Sequence, residues 1–119
     1  MQYMIMTYED PSAFNARTDA QKSPAYWGSW AAYTQTLQES GVMVAGSGLQ
    51  LPNTSTTVRL REGKRHIQDG PYAETKEQLG GYFVIDVPDL DTALDWAVRC
   101  PAAAEGVVEV RPVLQMNPN

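Results

Sequence analysis

Two segments of the chain, residues 3–8 and 81–87, are apolar at nearly every position. A strand that alternates apolar and polar side chains lies with one face in water, whereas a strand that is apolar on both faces lies inside a sheet. Residues 3–8 are therefore predicted to form a central strand, and GYFVIDV at 81–87 a second strongly apolar strand. A fold for this chain must cover both faces of the sheet that contains them.

Two other segments have the apolar spacing and the end signals of α-helices. Ser23-Pro24 is a good helix start, because serine can cap free N–H groups and proline suits the first turn, and this helix is predicted to run to about Ser40. The second helix is capped by Asp89 and ends near Pro101. The sequence EDPSAFNARTDAQKSP, which follows the first strand, is predicted to be a connection of polar and turn residues.

The apolar positions of each helix form stripes on a 3.6-residue period. In the first helix, a stripe predicted to be core overlaps an aromatic edge, which is predicted to line a pocket or a subunit contact. In the second helix Trp96 lies off the buried stripe and is a candidate for contact with another molecule. The core stripe is Trp27, Trp30, Ala31, Thr34 and Leu37, the aromatic edge is Tyr26, Trp30, Tyr33 and Leu37, and the second helix buries Leu90, Ala93, Leu94, Ala97 and Val98.

A hairpin is predicted in the middle of the chain. The glutamate-glycine pair at 62–63 is typical of a tight turn between two strands. Symmetric pairing about it places Val58 opposite Ile67 on one face, and Arg59 opposite His66 on a polar face. Including this hairpin, the remaining strands are predicted at residues 42–45, 54–61, 64–68 and 107–113.

The predicted order is strand, helix, strand, hairpin, strand, helix, strand. This is an α+β fold, a ferredoxin-like βαββαβ pattern with extra hairpin strands, whose helices lie on one face of an antiparallel sheet. The other face stays uncovered unless something packs there, and pairing two copies face to face is the economical solution. A homodimer is therefore expected.

Composition limits the classes of function. The 119 residues are expected to form a single domain with an ordered core over about 2–114, and the net charge of -5 disfavours nucleic-acid binding. The N-terminus has no basic leader and its apolar run is too short for a bilayer, so a cytoplasmic protein without membrane contact is expected. With one cysteine and one histidine, neither an internal disulfide nor a closed zinc site is expected, and no cofactor is predicted.

The segment DGPYAETKEQLGGY at 69–82 is the candidate for chemistry. Asp69, Glu74 and Lys76 flank a rigid Gly-Pro turn at the end of a strand. Two carboxylates and a lysine could serve as general base, partner acid and electrostatic clamp, provided that burial shifts their proton affinities towards neutrality. The same residues also have a plain structural interpretation, in which Asp69 is an ordinary turn residue and Lys76 is solvated or salt-bridged.

Three further positions have open interpretations. His66 shares the polar hairpin face with Arg59 and Arg61, and this basic cluster could hold an anionic ligand or simply face solvent. Tyr82 begins a strand beside two glycines and could point into a cleft, although strands commonly contain tyrosine. Cys100 is predicted to be a small buried residue rather than a nucleophile, because no histidine is near it in sequence.

The stretch DGPYAETKE at 69–77, followed by Gly80-Gly81-Tyr82, resembles the signature of the DGPF group of YCII-related proteins. The resemblance extends over most of the chain, to the opening YMIMTYED, the segment 41–49, the helix PDLDTALDWA and the closing VEVRPV. It implies a single YCII-related domain that forms a dimeric α/β-barrel from ferredoxin-like subunits, with a cleft near the subunit contact.

The resemblance implies several possible activities. Members of the group are mostly uncharacterised small bacterial proteins, many of them encoded beside sigma factors of the extracytoplasmic-function type. More distant relatives include a dehydrochlorinase, and similar barrels include muconolactone isomerases and cofactor-free monooxygenases. Tyr72 replaces the usual phenylalanine of the motif. The first helix lacks the histidine of the His-Asp pair proposed for shorter relatives, so an acid–base role falls to Asp69, Glu74 or another group.

Two functions follow, and the sequence leaves open whether the protein is an enzyme. In the first, it is a small-molecule-binding or cofactor-free, enzyme-like homodimer with a cleft around residues 69–76. In the second, it is a non-catalytic regulatory or interaction protein that acts with a sigma factor through Trp96 and its acidic surface. The predicted catalytic residues are Asp69, Glu74 and Lys76, and the predicted ligand-binding residues are Tyr26, Trp30, Arg59 and Tyr82.

Overall fold

A computed structural model describes residues 1–116, so residues 117–119 of the predicted domain lie outside the described part. None of the helices in residues 1–116 is long and apolar enough to cross a membrane. Single 3₁₀ turns lie at Pro52–Thr54 and Pro101–Ala103. The strands are β1 Gln2–Glu9, β2 Met43–Gly48, β3 Thr56–Arg61, β4 Lys64–Asp69, β5 Gln78–Asp86 and β6 Val107–Pro112, and the helices are α1 Pro11–Ala16, α2 Ser23–Glu39 and α3 Leu90–Val98.

Four strands form one antiparallel sheet in the order β2-β5-β1-β6. The two strongly apolar segments are its central strands β1 and β5, as predicted. Tyr33 and Leu37 of α2 and Ala93 of α3 share one buried core with Ile5 of β1 and Ile85 of β5. Both long helices therefore cover the same face, and the predicted ferredoxin-like α+β fold is confirmed.

The opposite face of the sheet is only partly covered. The odd-numbered residues of β1 are buried, whereas Met4 and Met6 are half-buried. Val84 pairs with Met4 and is also half-buried. We call the surface formed by Met4, Met6 and Val84 the outer sheet face, and its cover by a second copy stays a prediction.

Helix α1 lies in the segment that was expected to be an irregular connection. The Asp10 carboxylate accepts a hydrogen bond of 2.9 Å from the backbone N–H of Ala13, and Pro11 occupies the first turn. That hydrogen bond holds the pKa of Asp10 below its usual value. Asp10-Pro11 is therefore the start signal of this helix. The helix was not predicted because the polar and turn residues that follow are typical of an irregular connection.

The predicted helix α2 is confirmed, but the prediction of its buried face is wrong. The buried side chains are Tyr33, from the aromatic edge, and Leu37, which belongs to both predicted stripes. Trp27 is 48% exposed, and Ala31 is also exposed. The start differs as well, because Ser23 is already helical, and its predicted capping hydrogen bond is absent among the described residues.

Helix α3 has the predicted cap but a narrower buried stripe. The Asp89 carboxylate accepts hydrogen bonds from the backbone N–H of Thr92, at 2.8 Å, and from its hydroxyl. Only the small side chains Ala93 and Ala97 of α3 are buried. Contrary to prediction, Trp96 packs against the core of its own chain, while Leu90, Leu94 and Val98 are exposed.

The predicted hairpin is confirmed as a separate two-stranded sheet, β3–β4. Val58 pairs with Ile67 and Arg59 pairs with His66, as the symmetric register requires. The turn has φ of 52° at Glu62 and 72° at Gly63, the left-handed geometry of a tight hairpin. Val58, Leu60 and Ile67 are 63%, 68% and 55% exposed, so the apolar face of this hairpin is uncovered in a single chain.

Candidate functional site

A cavity of about 620 Å³ lies between α2 and the edge of the sheet formed by β2 and β5. Gly46, Gly48, Gly80 and Gly81 border it from the two strands. Because glycine has no side chain, backbone forms this wall. A Cβ on Gly48 would have no heavy atom within 4 Å, whereas a Cβ on Gly46, Gly80 or Gly81 would lie within 3.1 Å of a neighbouring atom. Of these four positions, Gly48 is the one that leaves open space where a side chain would lie.

Aromatic rings line the cavity from both sides, with Tyr26, Trp27 and Trp30 on α2 and Phe83 on β5. Trp30 and Phe83 are stacked with centroids 6.2 Å apart, and Tyr26 and Trp27 meet edge to face at 4.9 Å. All four residues border the cavity. We call this space, bounded by these rings and the four glycines, the aromatic cavity.

A buried carboxylate lies at the wall of the aromatic cavity. Glu9, the last residue of β1, is 5% exposed, and its Oε1 accepts a hydrogen bond of 2.7 Å from the hydroxyl of Tyr26. Arg17 Nη2 lies 3.7 Å from the same oxygen. A buried charge needs this kind of compensation, so the three side chains form one polar cluster in an otherwise apolar place.

Arg17 is fixed by several independent contacts. Its Nε donates to the Tyr26 hydroxyl at 3.2 Å, and Nη2 donates to the carbonyl of Gly80 at 3.1 Å. Nη1 donates to the carbonyl of Leu49, and the guanidinium lies 4.9 Å from the ring centroid of Phe14. These bonds connect the end of α1 with the end of β2 and with β5, and they hold the guanidinium beside Glu9.

The second oxygen of the Glu9 carboxylate is uncommitted. Every hydrogen bond and ion pair that Glu9 makes with a described residue uses Oε1. Within residues 1–116, every side-chain polar atom that is fully buried in a non-exposed residue has a hydrogen-bond partner, so Oε2 must reach open space. Glu9 borders the aromatic cavity and a second cavity of about 300 Å³ behind Tyr26 and Trp30. Oε2 is therefore an acceptor that the described residues do not use, beside these two cavities.

Burial and the hydrogen bond with Glu9 raise the pKa of the Tyr26 hydroxyl. Tyr26 is therefore protonated at neutral pH and remains the donor to Oε1. The resulting site is an apolar, ring-lined slot with one fixed carboxylate. Such a carboxylate can accept a hydrogen bond or a proton from a bound molecule.

Three of the predicted ligand-binding residues, Tyr26, Trp30 and Tyr82, border the aromatic cavity, and Arg59 lies on the hairpin. Tyr82 is half-buried and alternates with the buried residues Gly81 and Phe83 of β5, and it pairs with Met6, so its side chain lies on the outer sheet face rather than beside Tyr26 and Trp30. Whether these residues bind a ligand stays a prediction.

Of the predicted aromatic edge of α2, Tyr26 and Trp30 border the cavity, whereas Tyr33 and Leu37 lie in the core. The cavity is also bordered by Trp27, Ala31 and Thr34 of the stripe that was predicted to be core.

The predicted catalytic residues are placed differently from expectation. Asp69, Glu74 and Lys76 are all exposed, none borders the aromatic cavity, and none forms a side-chain hydrogen bond or ion pair with another described residue. The expected inward convergence does not occur in a single chain. Their catalytic roles stay a prediction.

The bend at residues 69–72 explains this placement. Gly70 has φ of 98°, its N–H donates to the carbonyl of Ser55 at 2.7 Å, and its carbonyl accepts from the Thr57 hydroxyl at 2.8 Å. The bend is therefore well fixed, as predicted, but it turns the chain outward. Tyr72 is 75% exposed and lies 5.2 Å from the guanidinium of Arg59.

Sequence analysis missed Glu9 and Arg17. Glu9 ends an apolar strand, and Arg17 lies in the segment predicted to be irregular. The Asp10-Pro11 helix signal could have indicated an ordered Arg17, but its contact with Glu9 depends on the fold. His66 lies on the exposed hairpin face, whereas Cys100 is buried as predicted, and burial raises the pKa of its thiol to about 11.

Comparison with known proteins gives three findings. The family model of the YCII-related domain matches residues 1–117. An uncharacterized protein of Rhizobium meliloti (strain 1021) is 32% identical over 120 residues, which cover 99% of this chain and 96% of the relative.

The third finding is a solved structure. It is a 5-chloro-2-hydroxyhydroquinone dehydrochlorinase from Burkholderia phenoliruptrix AC1100 in complex with 2,5-dihydroxybenzoquinone. The alignment covers 96% of this chain and 94% of that chain, with a TM-score of 0.55 and 14% sequence identity. At this identity the likeness shows a shared fold.

Proposed function

This chain belongs to the YCII-related family, as its sequence predicts, and we propose that it binds a small planar ring compound in the aromatic cavity and moves a proton on it without a cofactor. The observation that carries the proposal is the buried Glu9 carboxylate, whose Oε1 is held while Oε2 is free. A buried acidic group beside an apolar cavity is a common feature of sites for small molecules.

The shape of the cavity supports a flat ligand. One wall is glycine backbone and the facing wall contains the rings of Trp27 and Trp30. Aromatic rings favour offset stacking on another ring, and the apolar walls favour a largely apolar molecule. A hydroxylated ring meets both requirements, and the solved dehydrochlorinase of the same fold holds a compound of this class.

In the proposed reaction Glu9 is the proton acceptor. A ring hydroxyl gives its proton to Oε2 and its electron pair forms a carbonyl, while Glu9 returns that proton to the neighbouring ring carbon that bears the leaving group. A second ring hydroxyl then gives its proton to Glu9, its electron pair forms a second carbonyl, and the leaving group departs from the now tetrahedral carbon with the electrons of its own bond. Arg17 and Tyr26 hold the carboxylate in position through Oε1.

The proposed active form is a cytoplasmic homodimer. Asp69, Glu74 and Lys76 are exposed in one chain, so they contribute to chemistry only where a second copy covers them. Action on a sigma factor stays a prediction and is not proposed as a second function, because the Trp96 ring expected to make that contact packs against its own core.

Calorimetric titration with hydroquinone and with 2,5-dihydroxybenzoquinone tests the proposal. We expect saturable binding of at least one compound, weakened about tenfold or more by Glu9→Gln, since a hydrogen bond to a charged group contributes about 1.5–3 kcal/mol. Trp30→Leu removes a ring of the wall and also weakens binding.

The matched controls are Asp95→Asn, an exposed carboxylate on α3, and Asp69→Asn at the outward bend. Both are expected to bind like the wild type. Binding that survives Glu9→Gln and Trp30→Leu but disappears in Asp69→Asn would overturn the assignment to the aromatic cavity. Thermal melting of each variant separates loss of binding from loss of folding.

A further inference from the structure

The β3–β4 hairpin concentrates positive charge in an acidic protein. Residues 56–69 contain four of the nine Lys and Arg residues, the histidine and two of the fourteen acidic residues. Counted from the same sequence, the hairpin has a net charge of +2 and the rest of the chain -7. Charge is thus segregated onto one exposed element.

The strand register places three of these four cations, together with His66, on one face of the hairpin. Arg59 lies directly opposite His66, and Arg61 lies directly opposite Lys64. Since side chains two apart on a strand share a face, all four lie together. Arg61 and Lys64 are like charges directly opposite each other, which destabilises a strand pair, and no ion pair within residues 1–116 relieves them.

The same face forms a shallow groove of about 260 Å³. It contains cationic side chains and polar neighbours that can donate hydrogen bonds, and no acidic residue borders it within the described chain. We call it the basic groove, and it is lined by Thr57, Arg59, Arg61, His66 and Gln68.

The outward bend after β4 holds one side of the basic groove in place. Gly70 is fixed to Ser55 and Thr57 by the hydrogen bonds described above. The bend places the Tyr72 ring 5.2 Å from the guanidinium of Arg59, within the range of a cation–π contact. Tyr72 is otherwise 75% exposed, so this contact is its clearest structural role.

From these observations we propose that the basic groove binds a small oxyanion with at least two negative charges, of the phosphate or dicarboxylate class. Arg59 and Arg61 are the principal contacts, because guanidinium groups bind such anions through paired hydrogen bonds. Tyr72 is a positioning residue that limits the motion of Arg59 before the anion arrives. The proposal gives the bend a role in anion recognition that is separate from the aromatic cavity.

The test is an NMR titration of the ¹⁵N-labelled full chain with inorganic pyrophosphate and with malonate, at constant ionic strength set with sodium chloride. We expect saturable shifts confined to the backbone and side-chain N–H signals of the basic groove for at least one anion. Arg59→Gln and Arg61→Gln each weaken the affinity about tenfold, as expected when a charge-assisted contact to an anion is lost.

Arg65→Gln is the matched control, since Arg65 pairs with Leu60 on the opposite face of the same hairpin and the variant changes the net charge equally. It keeps the wild-type affinity. Tyr72→Phe keeps the ring and the affinity, whereas Tyr72→Leu lowers the affinity about threefold through loss of the cation–π contact. A melting curve like that of the wild type confirms that each variant is folded.

Two outcomes would overturn the proposal. One is an equal effect of Arg59→Gln and Arg65→Gln, or shifts that fail to saturate, which would indicate non-specific attraction. The other outcome is that the N–H chemical shifts of the basic groove change with protein concentration but not on addition of either anion. That result would indicate that acidic side chains of a second copy occupy the groove. Neither outcome affects ligand binding in the aromatic cavity.

Discussion

Glu9 is the residue whose environment most needs a functional explanation. Its side chain is 6% exposed, and burial of a carboxylate costs free energy unless charge and hydrogen bonds compensate it. Arg17 and Tyr26 supply that compensation at Oε1 alone. A pair with only a structural role gains nothing from a free Oε2, whereas a site for a hydrogen-bonding ligand requires one.

Substitution of Arg17 tests the energetics of this cluster. Arg17→Met leaves Glu9 buried without its cation, and we expect a loss of about 3 kcal/mol in the free energy of unfolding. The double variant Arg17→Met with Glu9→Leu removes the unpaired charge and is expected to recover part of that loss. Urea denaturation measures both, and a single variant as stable as the wild type would show that the pair contributes nothing.

The cap of α3 gives a prediction for the dependence of stability on pH. The hydrogen bonds that Asp89 accepts from Thr92 lower its pKa in the folded state. A lowered folded pKa stabilises the protein above the unfolded pKa, and this contribution is lost as the pH falls through the folded value. Asp89→Ala is therefore expected to lower the melting temperature at pH 7. The difference in melting temperature between wild type and variant is expected to become smaller as the pH falls towards 3, and a difference that grows on acidification would contradict this prediction.

Among the helices and strands, the features that depend on residues close in sequence were predicted correctly from the sequence. The central strands, the register about the 62–63 turn and the Asp89 cap follow from near neighbours. The buried face of α2 does not, because the 3.6-residue period shows which side chains share a stripe but not what the stripe faces. Trp27 borders the same cavity as the glycines of β2 and β5, which are distant from it in sequence. Its stripe becomes a cavity wall only because the fold places those strands opposite α2.

The same limit applies to the candidate site. The aromatic edge of α2 could be proposed as a pocket wall, since an excess of rings is visible in the sequence. The rigid bend after Asp69 was also visible, but its direction depends on the hydrogen bonds of Gly70 with Ser55 and Thr57. Glu9 and Arg17 are brought together by tertiary packing, which residue spacing does not encode.

Two glycines of β2 provide a test of the cavity wall. A Cβ on Gly48 would have no heavy atom within 4 Å, whereas a Cβ on Gly46 would lie 2.8 Å from Phe83 Cδ1. Gly48→Val is thus expected to keep the stability of the fold within about 1 kcal/mol while it fills part of the cavity and weakens ligand binding at least several-fold. Gly46→Val overpacks the core and is expected to destabilise it by about 1–3 kcal/mol.

Chemical denaturation and calorimetric titration of the two variants measure these effects. A stable Gly48→Val variant that binds the ring compounds as well as the wild type would show that the ligand does not occupy this part of the cavity.

The shape of the whole molecule suggests that one chain is an incomplete unit. Its radius of gyration is 16.3 Å, compared with about 13.5 Å for a compact domain of this length. Its extents are 52 × 47 × 18 Å, so it is flat. The outer sheet face and the apolar face of the hairpin are both open in this flat shape. A second copy on these surfaces would cover apolar area that a soluble monomer rarely leaves exposed.

Light scattering coupled to size-exclusion chromatography tests the homodimer. The expected mass is twice the chain mass of 13.1 kDa. Met6→Lys places a charge on the outer sheet face and is expected to shift the protein towards the monomer. Val98→Lys, at an exposed position of α3 on the other side of the sheet, is the control. A wild-type mass of one chain at micromolar concentration would contradict the dimer.

A crystal structure of the protein soaked with the ring compound that binds best tests the central claim most directly. The proposed function predicts density for the ring between α2 and the glycines of β2 and β5, with a ligand hydroxyl within hydrogen-bonding distance of Glu9 Oε2. A ring bound beside Asp69, Glu74 and Lys76, with the aromatic cavity holding only water, would contradict it.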